Sequence, residues 1–334
     1  MTDLLLLLAG FVLLIVGGEF LVRGAVNVAE SMGMSKLLIG ITLVGFGTSS
    51  PELVTSLQAS FAGSPGIAIG NFVGSSISNI LLIIGVSAVL FPLAVSRHSL
   101  QRDGAAVLVS ALAFTAVGFF FPFNQLVGGL FVTALIGYLV LAYRDEMRLT
   151  RAANNAVDHT APIERGMAHD EVLPGLDEGL RNNLPLAFAM AIGGLITIVI
   201  GGRLLVDGAV GIARTYQVSE TVIGLTIVAV GTSMPELVTS VIAALKKHSD
   251  VAVGNILGSN IYNIFGIGGV VGLIAPTDIP AQIITFDNIV MVAATVALIA
   301  FAWTSKRVGR IEGGILLGAY IAYIYALWPH NIAA

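Results

Sequence analysis

Apolar residues run along this chain in long blocks, separated by short polar breaks. Ten blocks stand out, near residues 3–24, 36–61, 67–92, 104–121, 125–143, 184–209, 219–245, 250–275, 286–304 and 312–329. A bilayer core takes about 20 helical residues to cross, so each block predicts one transmembrane helix. The one long polar stretch, 144–183, carries Arg144, Asp145, Glu146, Arg148, Arg151, Asp170, Glu171, Asp177 and Glu178. It reads as a linker between two five-helix halves, 1–143 and 184–334.

The two halves align without a gap at an offset of 184 residues. Residues 47–56 read GTSSPELVTS and residues 231–240 read GTSMPELVTS, identical at nine of ten positions. GNFVGSSISNI at 70–80 meets GNILGSNIYNI at 254–264, and Asp103 meets Asp287. Five helices is an odd number, so the second half enters the membrane from the opposite face. The expected fold is an all-α integral membrane protein of ten helices, built as two inverted five-helix repeats. In such architectures the site lies at the midplane, where helices are broken. Gly17-Gly18 and Gly201-Gly202 occupy matching places in the first and sixth helices and read as hinges, which makes those two helices the expected moving parts.

Composition agrees with the pattern. Of the 334 residues 56% are hydrophobic and 11% charged, against about 25% charged in soluble domains. There is no cysteine, which excludes disulfides and thiolate metal sites. Asp3 precedes the first apolar run without a basic region, so that run reads as a retained helix rather than a cleaved signal. With both termini outside, the inside loops hold Arg23, Lys36, Arg97, Arg102, Lys246, Lys247, Lys306, Arg307, Arg310 and the five linker arginines. These are fourteen of the sixteen Lys and Arg, leaving only Arg203 and Arg214 toward the outside. The positive-inside rule therefore places the linker in the cytoplasm and the chain, multi-pass, in the inner membrane.

Glu52 and Glu236 lie inside apolar blocks, where a carboxylate costs about 3 kcal/mol or more unless it is paired or functional. Thr48 and Glu52 share a helical face at i, i+4. Pro51 lacks the N–H that the Gly47 carbonyl would need, and Gly45 and Gly47 loosen the same turn. The block should break there and expose carbonyl oxygens to a cavity. Gly231, Thr232, Ser233, Pro235 and Glu236 repeat the arrangement, with Ala229 in place of Gly45. The second motif sets Asn71, Ser75 and Asn79 on one stripe, mirrored by Asn255, Ser259 and Asn263. Carboxylates, hydroxyls, amides and freed carbonyls form an oxygen-only set, which suits Ca²⁺ and Na⁺ rather than zinc or copper. Small hydroxylated residues also let membrane helices pack closely, and Asn71 or Ser75 alone fits that role equally well.

Other polar positions read more plainly. Arg203 and Asp207, like Glu19 and Arg23, are i, i+4 pairs that fit interfacial ion pairing better than ion guidance. Asp103 and Asp287 each open a helix and are expected to cap it. His159, His169, Asp170 and Glu171 show no ligand spacing and fit a solvated linker better than a metal site.

On the paired G-T-S-x-P-E and G-N-x-x-G-S motifs, the two halves resemble the alpha repeats of the cation/calcium exchanger superfamily, most closely its prokaryotic sodium/calcium exchanger branch. The resemblance covers nearly the whole chain outside the linker. It implies ten helices and antiport of Ca²⁺ against Na⁺, with one Ca²⁺ site flanked by Na⁺ sites. It also implies the ligands: the carboxylates of Glu52 and Glu236; oxygens from Thr48, Ser49, Thr232, Ser233, Ser75 and Ser259; backbone oxygens of Gly45 and Ala229; and the amides of Asn79 and Asn263. Many members carry aspartate where this chain has Asn263, an aspartate linked to potassium dependence, so this chain resembles the potassium-independent type.

The expected function is a secondary antiporter exchanging Ca²⁺ for Na⁺ by alternating access, not an enzyme. It needs no cofactor and no nucleic acid, and its partners are the transported ions and the bilayer. An H⁺/Ca²⁺ exchanger on the same fold is the first alternative. A passive cation channel is the second, although paired carboxylates suit tight binding better than rapid conduction. A structural scaffold leaves the duplicated glutamates unexplained.

Overall fold

The computed structural model describes residues 2–32, 34–63, 65–157, 183–215 and 229–327. Its elements, numbered here in chain order, are almost all helical. In the first half they are α1 (Thr2–Met32), α2 (Lys36–Phe61), α3 (Pro65–Leu90), α4 (Arg97–Phe120) and α5 (Gln125–Val157). In the second they are α6 (Leu184–Thr215), α7 (Ala229–Thr232 continued by Met234–Leu245), α8 (Ser249–Ile274), α9 (Ile283–Ser305) and α10 (Arg310–Leu327). Among the described residues nine helices are long and apolar enough to cross a membrane. The seventh expected crossing shows only its later part as α7, and 219–228 lie outside the described residues.

α1 and α6 pack antiparallel, as inverted halves require. Gly10 faces Gly201 and Leu205, Gly17 faces Gly194 and Ile198, and Gly24 faces Ala187 and Ala191, so one helix ascends as the other descends. The approach is close: a Cβ at Gly17 would lie 2.8 Å from the Ile198 backbone nitrogen, and one at Gly201 would lie 2.9 Å from that of Leu14. Without a hydrophobic drive between helices in lipid, such contact between backbones is the main source of association. Both helices run unbroken through Gly17-Gly18 and Gly201-Gly202, and Gly17 and Gly201 sit against the partner helix's backbone. The pair forms a hydrophobic cluster of its own, joined only by Ile39 and Val44 of α2 among buried residues. A larger core takes in residues of α3, α4, α5, α7, α8, α9 and α10, and Val22 and Val26 of α1 also belong to it.

α2 packs across the halves onto α8, where a Cβ at Gly258 would meet the Ile41 carbonyl at 2.7 Å. The repeat extends to single π-helical turns: Asn79–Ile84 in α3 matches Tyr262–Gly268 in α8, and Leu100–Gly104 in α4 matches Ile283–Asp287 in α9. Such turns concentrate at functional sites. Two strands, β1 (Leu93–Ala94) and β2 (Arg307–Val308), pair antiparallel and clip the α3–α4 loop to the α9–α10 loop.

Three sequence expectations change. α5 continues to Val157, past the expected end at 143, because 144–157 are rich in good helix formers and Arg102 of α4 binds Asp145 and Glu146 at 3.4 and 2.8 Å. Asp103 does not cap α4. The helix starts six residues earlier, where Ser96 accepts from the Ser99 N–H at 3.0 Å, and Asp103 is buried inside it. Asp287 likewise makes no capping bond and instead accepts from the Tyr323 hydroxyl at 2.8 Å. In both cases the helix begins before the aspartate and runs through it. The histidines and acids at 159–171 lie outside the described residues, and among the described ones no group of three His, Cys, Asp or Glu is placed to hold a metal ion.

Candidate ion-binding site

Each motif breaks its helix at one serine. Ser49 in α2 has φ −84° and ψ 0°, and Ser233 in α7 has φ −90° and ψ 9°. Pro51 and Pro235 stand in the first turn after the break, where a missing N–H costs least. The helix resumes when Leu53 donates to the Ser49 carbonyl at 3.2 Å and Leu237 to the Ser233 carbonyl at 3.0 Å. Glu52 and Glu236 thereby face inward at the start of each resumed helix, each only 1% exposed.

The contacts around them cross from one half to the other. Ser49 Oγ donates to Glu236 Oε1 at 3.2 Å. Ser75 and Ser233 hydroxyls meet at 3.3 Å. Thr48 Oγ1 donates to Asn255 Oδ1 at 3.2 Å and reaches the Gly45 carbonyl at 3.4 Å, which Ser259 Oγ also approaches at 3.4 Å. The structure thus gathers Gly45, Thr48, Ser49, Ser75, Ser233, Glu236 and Ser259, with Glu52 buried at the matching break. Asn79 and Asn263 are buried at the matching π turns. Thr232 is half-buried beside the second break, and Ala229 opens the described part of α7.

Two roles escaped the sequence reading. Asn71 Nδ2 donates to the Glu52 carbonyl at 3.1 Å and to Ser56 Oγ at 3.0 Å, and Asn255 Nδ2 repeats this with the Glu236 carbonyl at 3.4 Å and Ser240 Oγ at 2.8 Å. These asparagines brace the broken helices. Their partners Ser56 and Ser240 end the two decapeptides, so the signal was present in the motif itself. Asn260, which replaces Ser76 of the first half, is buried and accepts from Asn79 Nδ2 at 3.0 Å.

Among the described residues one carboxylate oxygen of each glutamate, and Oδ1 of both Asn79 and Asn263, is buried without a hydrogen-bond partner. Buried polar atoms are rarely left so, and two like charges held out of water cost several kcal/mol each unless something offsets them. An all-oxygen nest with two carboxylates offers hard cations what they need.

Comparison with known proteins agrees in kind. The sodium/calcium exchanger protein family matches residues 2–144 and 186–328. The chain is 36% identical over 353 residues to the sodium/calcium exchanger MaX1 of Methanosarcina acetivorans, covering 98% of each chain. It is 31% identical over 324 residues to the inner membrane protein YrbG of Escherichia coli, covering 97% of this chain and 96% of that one. Its fold is similar to that of the sodium-calcium exchanger NCX_Mj soaked with 10 mM Na⁺ and no Ca²⁺. The TM-score is 0.81 at 32% identity, covering 98% of this chain and 99% of the other. This chain belongs to the sodium/calcium exchanger protein family, transporters rather than enzymes, which move Ca²⁺ and Na⁺ without a cofactor.

Proposed function

We propose that this protein exchanges Ca²⁺ for Na⁺ at the site between the two broken helices, by alternating access. The observation that carries the reading is the pairing of Glu52 and Glu236, both buried, amid hydroxyl, amide and carbonyl oxygens contributed by both halves. Two carboxylates balance one Ca²⁺, and a low-dielectric interior strongly favours the neutral assembly. The ligands are Glu52, Glu236, Thr48, Ser49, Thr232, Ser233, Ser75, Ser259, Asn79 and Asn263, with backbone oxygens of Gly45 and Ala229. Residues 1–143 and 184–334 act as the two repeats and 144–183 as a cytoplasmic linker. The separate α1–α6 cluster is the part that moves against the remaining core.

The site-bearing reading is tested by Ca²⁺ uptake into proteoliposomes with imposed Na⁺, K⁺ or H⁺ gradients. Uptake should follow the Na⁺ gradient. Uptake that survives without Na⁺ and collapses with the pH gradient would assign proton coupling instead, and flux indifferent to every counter-ion gradient would indicate a channel.

The linker faces the cytoplasm and both termini the outside of the inner membrane. Loop charge supports the orientation, and the inner-membrane name of YrbG supports the location. The chain lacks cysteine, so one placed at Ala153 reports cleanly. An impermeant reagent should leave it unlabelled in intact cells, and labelling would reverse the orientation.

A further inference from the structure

A carboxamide carries a donor end and an acceptor end on one planar group, so whatever takes its N–H decides where its oxygen points. Asn79 Nδ2 donates to Asn260 Oδ1 at 3.0 Å across the two halves, and the Asn79 oxygen is left with no described partner. Asn79 lies one turn beyond Ser75 on the same face of α3, and Ser75 touches Ser233 in the break of α7. Among the described residues the second half shows no such clamp. The residue equivalent to Asn260 is Ser76, whose hydroxyl donates to the Phe72 carbonyl of its own helix at 2.8 Å, and the Asn263 oxygen is held by no described residue.

We propose that Asn260 is a positioning residue for ion binding: by accepting from the Asn79 nitrogen it holds the Asn79 oxygen toward the cation, so the two repeat-related asparagines serve unequally. The inference rests on Asn79 being an ion ligand. A cation is attracted by the amide oxygen and repelled by the amide N–H groups, and the clamp removes the unproductive orientation before the ion arrives. Asn263 reaches the same geometry only when an ion selects it.

The test is a mutant cycle in the full-length protein, reading half-saturation for Ca²⁺, turnover at saturating Ca²⁺ and melting temperature. N260S should raise half-saturation about tenfold, the scale of one interaction with a charged group, with turnover nearly unchanged. Alanine at 79 leaves nothing for Asn260 to hold, so adding N260S to N79A should change half-saturation by less than about twofold. Should N260S fail to assemble, N260T runs the same cycle. Equal losses in both backgrounds would make Asn260 merely structural and overturn the proposal. A harmless N260S beside a damaging N79A would overturn it while sparing the ligand reading. A harmless N79A would remove Asn79 from the site, and the inference with it.

Discussion

Glu52 and Glu236 sit in surroundings that match closely, whereas Asp103 and Asp287, related by the same repeat, do not. Each glutamate follows a serine break and a proline, and an asparagine and a serine brace its helix in the same way. Asp103 is tied to Arg102 at 2.7 Å, to Ser99 at 3.1 Å and to Tyr138 at 2.9 Å, while Asp287 has Tyr323. The residue matching Arg102 is Phe286, so the cation was never duplicated or was later lost. Both aspartates keep their π turn. A buried carboxylate that only has to be satisfied can find different partners in each half. Surroundings kept alike in both halves mark a shared task.

The comparison breaks if one glutamate proves dispensable. Glu52→Gln and Glu236→Gln keep size and hydrogen bonding but leave bound Ca²⁺ with an unbalanced charge. Each should weaken Ca²⁺ binding by at least about 100-fold, from the roughly 3–5 kcal/mol attached to an uncompensated buried charge. Calorimetry and vesicle exchange read this out, and the two variants should be damaged alike. Lowering pH should mimic them, because protons compete with Ca²⁺ for the same oxygens. Near-normal exchange in either variant would move the site elsewhere.

The aspartates sharpen the contrast on a smaller scale. Asp103→Asn removes one of the charges that Arg102 faces and should cost about 2–3 kcal/mol of stability, while Asp287→Asn, which only weakens one tyrosine bond from charge-assisted to neutral, should cost about 1 kcal/mol. Both should retain substantial exchange. Equal thermal shifts would erase the difference drawn between the two halves.

At neutral pH the smallest effect expected is at His248, in the turn between α7 and α8. Burial, and then the charges of Lys36 and Lys246, push it down to about 4. Its unfolded value is near 6.5, so the folded state favours the neutral ring. That contribution is complete above about pH 6.5 and is lost as pH falls toward 4. His248→Asn should flatten the melting temperature over that interval and leave neutral pH unaffected.

Much of the centre could be read from residues alone. Pro51 and Pro235 inside apolar runs announce broken helices, and an odd number of crossings per half announces inversion. What escaped depends on contacts between distant segments. Whether Gly17 bends a helix or receives another backbone is decided by the docking of α6. Asp103 looked like a cap because Arg97, His98, Gln101 and Arg102 resemble a loop, yet they form helix once Arg102 has Asp103 and Glu146 to hold. The β1–β2 clip spans only two residues on each side, too few for any periodic signal.

The docking of α1 on α6 also bears on how the protein is made. The partner of α1 emerges from the ribosome roughly 180 residues later, which at about 5–20 residues per second is a wait of roughly 10 to 40 s. Through that interval the glycine face of α1 rests against lipid, which is tolerable because lipid is no worse a neighbour for apolar surface than another helix. The polar residues around Glu52 are less comfortable, since Ser233 and Asn255, the partners of Ser75 and Thr48, have yet to be synthesised. A nascent first half is therefore an assembly intermediate with an unfinished polar centre, and a chain truncated within the linker offers membrane quality control an acidic group at the bilayer's depth.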